Sequence, residues 1–202
     1  MTGKTHCIAA VAAAITIVHP KEPEVILLGA SLAFLGGLTP DVDLFQSKLG
    51  RKISRFMISI FSILLLLLLL KQSFGFHLSD WIPLEQLFQS IPKGPLLFLL
   101  LCSIGLNTKH RTFTHSVLSG LLFTLCIYLC LPGYWLYFLI GFCSHLLLDL
   151  FNKEGIELFF PLEKRISIPL CKSKNTYANT MILCSSVCVL VGYLFYLFQD
   201  IT

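Results

Sequence analysis

Tyr134-Trp-Leu-Tyr-Phe-Leu-Ile-Gly-Phe-Cys-Ser-His-Leu-Leu-Leu-Asp-Leu-Phe151 is apolar until its last turns, where His145 and Asp149 stand four apart. Its length and composition suit a helix in hydrocarbon. On a helix, residues at that spacing share one face about a turn apart, within reach of a common ion. Taken alone, such a pair is more often a hydrogen-bonded polar contact inside a bundle than a ligand pair. The rest of the chain decides between these readings.

The 202 residues are 55% apolar and 13% charged, with a mean hydropathy of +0.80, far from the balance of a soluble domain. Further apolar segments run over Thr5–Val18, Val25–Leu38, Phe56–Leu70, Pro95–Leu106, Phe113–Leu131 and Ala178–Phe198. The expected fold is all-α, a polytopic membrane bundle of about six to seven helices forming a single domain over residues 1–202. The first two segments rise only roughly 20 Å each at helical pitch, so a short, partly inserted hairpin is an alternative to two full crossings. The small residues after Lys4 lack a secretory cleavage signature and run into another apolar segment, so a membrane-retained chain is expected. Cys102, Cys126, Cys130, Cys143, Cys184 and Cys188 lie inside apolar runs without a C-x-x-C pair. They read as small hydrophobes rather than zinc thiolates. No internal repeat or sustained heptad is present, and no nucleic-acid partner is expected.

Threading seven crossings places Lys4, Lys48, Arg51, Lys52, Arg55, Lys109, Arg111, Lys153, Lys164, Arg165, Lys172 and Lys174 on one side. Only Lys21, Lys71 and Lys93 of the 15 cations fall on the other. Because basic residues are retained in the cytoplasm, the N-terminus is expected there. The same threading, which makes no use of His or Asp, puts His6, Asp41, Asp43, His110, His115, His145 and Asp149 on the cytoplasmic edge. Imidazoles and carboxylates are costly near lipid, so seven at one depth from separate segments point to a shared purpose. His19 and His77 fall on the opposite side and are excluded.

The individual strings differ in weight. Pro40-Asp-Val-Asp43 follows Gly36 and Gly37, which are expected to end the second helix, and can aim two carboxylates at cations, although a polar surface turn explains it as well in isolation. His110-Arg-Thr-Phe-Thr-His115 is the most specific string. His110 is expected in a loop and His115 in the first turn of a helix capped by Thr112 or Thr114, with Arg111 between them able to pair with phosphate or carboxylate. Snorkelling to lipid headgroups is an equal alternative for Arg111 alone. His6 gains weight only from its side of the membrane. Lys164 and Arg165 serve topological retention first and anionic-substrate binding second.

In this order, Thr2-Gly-Lys-Thr-His6, Leu38-Thr-Pro-Asp-Val-Asp43 with Ser47-Lys-Leu-Gly-Arg51, His110-Arg-x-x-Thr-His-Ser116, Ser144-His-Leu-Leu-Leu-Asp149 with Asn152-x-x-Gly155, and Pro161-Leu-x-Lys-Arg165 resemble the YdjM-like family of bacterial inner-membrane metal-dependent hydrolases. The resemblance implies a hydrolase of the bacterial inner membrane in which these His and Asp residues hold a divalent metal. One departure is marked: related sequences carry an acidic residue before the final helix, where this chain reads Cys171-Lys-Ser-Lys-Asn-Thr-Tyr-Ala-Asn179. The arrangement also looks like that of zinc-dependent phospholipases C, an analogy of layout alone. The expected chemistry is metal-assisted hydrolysis by one or two ions, with zinc first and manganese, iron or nickel as alternatives. Arg111, His115 and Asp43 are the expected catalytic residues; Arg111, Lys164 and Arg165 are the expected substrate contacts. A basic edge in the headgroup plane points to a lipid or lipid-linked phosphoester, with membrane lipids as surroundings. The rival class is a divalent metal-ion or proton transporter, since ionisable residues in membranes also mark ion pathways. Transporters, however, usually hold their cargo near the midplane between broken helices. A structural protein with polar interhelical contacts accounts for one or two such residues but not seven.

Overall fold

The computed structural model describes residues 2–44, 93–171 and 175–201. The expected span Phe56–Leu70, most of the loop from Gln72 to Gly94, His77, and the cations Lys48, Arg51, Lys52, Arg55, Lys71, Lys172 and Lys174 lie outside the described residues, as does the side chain of Asp43. The elements are α1 (Gly3–Val18), α2 (Pro23–Leu38), a 3-10 turn over Thr39–Leu44, α3 (Lys93–Asn107), a second 3-10 turn over Phe113–His115, α4 (Val117–Cys130), α5 (Trp135–Leu150) and α6 (Thr176–Ile201). Among the described residues there is no strand, only isolated bridges pairing Asn152 with Cys171 and Ile156 with Ile166.

Local chemistry sets the helix ends. Thr2 caps α1 by accepting from the Thr5 amide, and Pro23 opens α2 at a position where its missing N–H costs nothing. Two sequence expectations need correction. Gly36 and Gly37 do not end α2, which runs on to Leu38. Their lack of a side chain is used for packing instead. The helix after His115 is capped neither by Thr112 nor by Thr114 but by Ser116, whose Oγ accepts from the Ser119 amide at 3.1 Å. His115 therefore stands in the 3-10 turn just before that helix.

Three helices, α1, α2 and α5, form the centre of the bundle. They approach closely because the facing residues are small. A Cβ on Gly36 would collide with the Phe138 carbonyl of α5, one on Gly141 with the Ala33 carbonyl of α2, and one on Gly37 would reach within 2.6 Å of the Ala10 Cβ of α1. Gly29, Ala33 and Gly37 thus form a small-residue stripe of the kind that brings apolar helices together through dispersion. Around this contact Phe123, Phe138 and Phe142 are fully buried, with Phe98 of α3 edge-on to Phe123 at 4.9 Å between ring centroids. α3 pairs with α4, and α6 lies against α1 with Tyr177, Met181, Phe195 and Phe198 turned outward.

Pro23–Val42 and Thr176–Gln199 are the two described stretches long and apolar enough to cross a bilayer. α1, α3, α4 and α5 are apolar but have 16, 15, 14 and 16 residues, or roughly 21–24 Å each at helical rise.

The stripe makes a direct prediction. Gly141→Val is expected to lower stability by about 1–3 kcal/mol through overpacking. Gly192→Val, at a position with nothing within 4 Å of an added Cβ, is expected to change it little. Thermal melts of the two variants in detergent compare them directly.

Candidate metal centre

Side chains from several elements meet in a single cluster at one end of the bundle. His6 comes from the first turns of α1, Asp41 from the turn after α2, His110 and Arg111 from the loop after α3, His115 from the turn before α4, and His145 and Asp149 from the last turns of α5. His6, His115, His145 and Asp149 are buried; Asp41 and His110 are partly open.

The His145 Nδ1 atom is 2.7 Å from the Gly37 carbonyl oxygen. A carbonyl only accepts, so Nδ1 carries the proton and Nε2 keeps a lone pair directed away from α2. That buried Nε2 has no hydrogen-bond partner among the described residues. Its neighbours are Asp41 Oδ1 and Asp149 Oδ2, each at 3.8 Å. A nitrogen buried opposite carboxylate oxygens is placed to hold a proton or a metal ion between them.

The remaining groups crowd the same space. His115 Nε2 lies 3.4 Å from Asp149 Oδ2 and 3.7 Å from Asp41 Oδ1, while its Nδ1 meets Thr114 Oγ1 at 3.1 Å. His6 Nε2 is 3.3 Å from Asp149 Oδ1, and its ring stacks on His145 at 3.9 Å. His110 stands edge-on to His115 at 5.1 Å. A tetrahedral zinc with bonds of about 2.0–2.1 Å spaces its ligand atoms about 3.3 Å apart. The observed separations are close to that spacing. The donors fall into two adjacent triads, His6 with His145 and Asp149, and Asp41 with His110 and His115, each holding its ligand atoms within 4.8 Å of one another.

Arg111 flanks the cluster. Its φ of 67° lies in the left-handed region, which costs an L-residue about 1 kcal/mol or more. The following loop holds it there: the Glu157 amide donates to the Arg111 carbonyl at 3.0 Å, and the Val117 amide to the Leu158 carbonyl at 3.0 Å. The buried guanidinium then lies with Nε 3.8 Å from Asp149 Oδ2 and NH1 2.7 Å from Glu154 Oε2.

Of the other residues singled out in the sequence, Asp43 stands in the Thr39–Leu44 turn with its side chain outside the described residues. Lys164 is exposed, and Arg165 lies 3.7 Å from Glu157 on the covering loop. His19 is the left-handed cap at the far end of α1. Several groups escape sequence reading. The Gly37 carbonyl that orients His145 is backbone and leaves no side-chain signal. Thr114 stands beside a candidate ligand in the sequence, Asn152 already stands in the Asn152-x-x-Gly155 string, and Glu154 lies five residues after Asp149, which is the signal that finds it. Asn179, in the segment that lacks an acidic residue, accepts from the Thr2 amide at 2.9 Å and from Thr5 Oγ1 at 3.3 Å. It ties α6 to the turn that carries His6.

The sequence profile described as YdjM inner membrane protein matches residues 1–200. Among curated proteins, the chain is similar to the uncharacterized protein YvsG of Bacillus subtilis (strain 168), with 27% identity over 201 residues covering 98% of each chain. No solved structure matches it.

Asp149 touches His6, Arg111, His115 and His145, so Asp149→Leu leaves a buried cation without its carboxylate. Removing one partner of such a pair typically costs about 3–5 kcal/mol. Asp41→Asn, at a more open position, is expected to cost clearly less. Melting curves of both variants recorded in chelator test this ranking without reference to bound metal.

Proposed function

The chain belongs to the YdjM inner membrane protein family, and from that premise we propose that it is a membrane-bound, metal-dependent hydrolase acting on a phosphoester or other ester of a lipid or lipid-linked substrate. The observation that carries this reading is the His145 imidazole, proton-tied to Gly37 on one side and offering an unpartnered Nε2 toward two carboxylates on the other. In this reading His6, His145 and Asp149 hold one divalent ion, and Asp41, His110 and His115 hold a second, with Asp43 adding a carboxylate. Mixed imidazole and carboxylate donors suit zinc first, then manganese, iron or nickel. Such ions, when bound, supply Lewis acidity that activates water near neutral pH and polarises an ester oxygen.

The chain's own groups supply the rest. Arg111 neutralises charge on the ester's anionic oxygen beside the centre. His115, buried against Thr114, and Asp43 act in catalysis through the ions they would hold. The exposed Lys164 and Arg165 draw an anionic headgroup toward the loop. The bundle is read as six or seven membrane helices, the short first pair included, with the N-terminus and the centre facing the cytoplasm. Placement of the donors at helix ends, rather than midway along broken helices, favours hydrolysis over transport.

Elemental analysis of detergent-purified protein beside an Asp41→Ala, His145→Ala double variant, combined with turnover of a phosphoester panel, tests the proposal. The wild type is expected to retain divalent metal and the variant to lose it. Turnover should fall by at least about 100-fold, since losing even outer-shell partners costs 10–100-fold. Equal metal content in both proteins would overturn the reading. Metal moved across liposomes without ester cleavage would replace it with transport.

A further inference from the structure

We propose that Arg111, Asn152 and Glu154 form an anion gate beside the metal centre: Arg111 and Asn152 supply N–H donors for a phosphoryl group, and Glu154 occupies that place until the group displaces it. The proposal deepens the hydrolase reading and rests on it for the identity of the anion.

Three observations meet at this point. First, the donors are buried and lack an aligned hydrogen bond. Arg111 is 6% exposed and Asn152 fully buried, and Arg111 Nε, Arg111 NH1 and Asn152 Nδ2 make no hydrogen bond among the described residues. Buried donors of this kind each cost about 1–3 kcal/mol when left unmade, so those on Arg111, 3.8 Å from Asp149, and on Asn152, whose backbone amide bonds the Asp149 carbonyl at 3.1 Å, point to a ligand. The orientation of the Asn152 amide follows from its neighbour: its Oδ1 faces the Glu154 amide at 3.5 Å, and turning it over would set two N–H groups against each other.

Second, the present occupant is poorly attached. Glu154 Oε2 reaches Arg111 NH1 at 2.7 Å, yet its side chain is 65% exposed against 7% for the guanidinium, and the contact is an ion pair without hydrogen-bond alignment. A carboxylate so open to water regains its hydration on leaving, and a dianion that pairs the same buried guanidinium spares it from standing unpartnered. An incoming dianion therefore needs only a modest advantage to replace it.

Third, the backbone presents these three groups deliberately. Arg111 at φ 67° and Gly155 at φ 67° flank the contact from both strands of the chain. The Asn152–Gly155 turn closes through the Gly155 amide to the Asn152 carbonyl at 3.2 Å. A Cβ at Gly155 would come within 2.9 Å of the Ile166 carbonyl, so this turn is available to glycine. Arg111 connects the gate to the centre through Asp149, 3.8 Å from its Nε. A phosphoryl group seated on Arg111 would thus stand beside the carboxylate that His6, His115 and His145 share.

Inorganic phosphate, titrated calorimetrically into detergent-purified full-length protein in chelator, tests the gate without metal or turnover. Glu154→Gln is expected to bind phosphate about 2- to 5-fold more tightly than wild type, the scale of one exposed charge contact. Glu163→Gln, which removes an exposed carboxylate elsewhere on the same loop, is expected to match wild type. Adding Asn152→Ala to Glu154→Gln is expected to weaken binding about 2- to 10-fold. Unchanged or weaker binding by Glu154→Gln, an equal gain in Glu163→Gln, or a folded double variant that retains full affinity would overturn the proposal. Should Asn152→Ala fail to fold, the comparison of the two Glu variants decides alone. A tightened phosphate site in a protein that retains no metal and cleaves no ester would leave the gate standing and remove the hydrolase reading; cleavage with no change in phosphate affinity would do the reverse.

Discussion

One buried hydrogen bond, from His145 Nδ1 to the Gly37 carbonyl at 2.7 Å, organises the molecule. It joins α5 to α2, selects the imidazole tautomer and turns the free nitrogen toward Asp41 and Asp149. A bond of that length is available only if the two helices nearly touch, and they do so because Gly36 and Gly141 leave room for the opposing carbonyls. Gly37 serves twice, giving its carbonyl to α5 and its bare Cα to Ala10 of α1. The packing that stabilises an apolar bundle and the orientation of a polar centre are therefore one arrangement. Asp41 and Asp149 follow from it, each lying within about a turn of that contact along its own segment.

Around this bond the centre is closed from several directions. α1 delivers His6 as a ring stacked on His145, and Asn179 of α6 fixes the turn from which His6 projects. The loop after α5 folds back over Arg111 through the Glu157 amide, and fully buried Ile156 pairs with Ile166 beneath it. Four imidazoles, two carboxylates and a guanidinium thus meet at one end of the bundle, all buried except the partly open Asp41 and His110. In such surroundings electrostatic interactions are strong, and so are the costs of leaving any group unmatched.

The sequence carried much of this. A threading based on basic-residue bias groups His6, Asp41, His110, His115, His145 and Asp149, and these six side chains meet at one end of the bundle. Helix ends were legible to within a few residues where the apolar runs were long. The errors were local and have physical causes. Gly36 and Gly37 looked like helix terminators because glycine before proline usually is one, whereas their use depends on what α1 and α5 place opposite, which a linear reading does not contain. Ser116 was passed over for Thr112 and Thr114 because several hydroxyls in succession offer equivalent caps, and only the 3-10 turn at Phe113–His115 separates them. Glu154 stands out little, since polar residues after a helix are ordinary loop chemistry, whereas Asn152 is legible through the Asn152-x-x-Gly155 string.

Arg111 carries both a left-handed backbone and the guanidinium beside Asp149. Glycine would ease the chain but abolish the cation, and lysine would preserve charge but lose the planar fork while keeping the torsional penalty. Backbone ease and local charge consequently pull in opposite directions at this position. Relaxing this left-handed arginine to glycine to harden the protein would remove the guanidinium that stands beside Asp149.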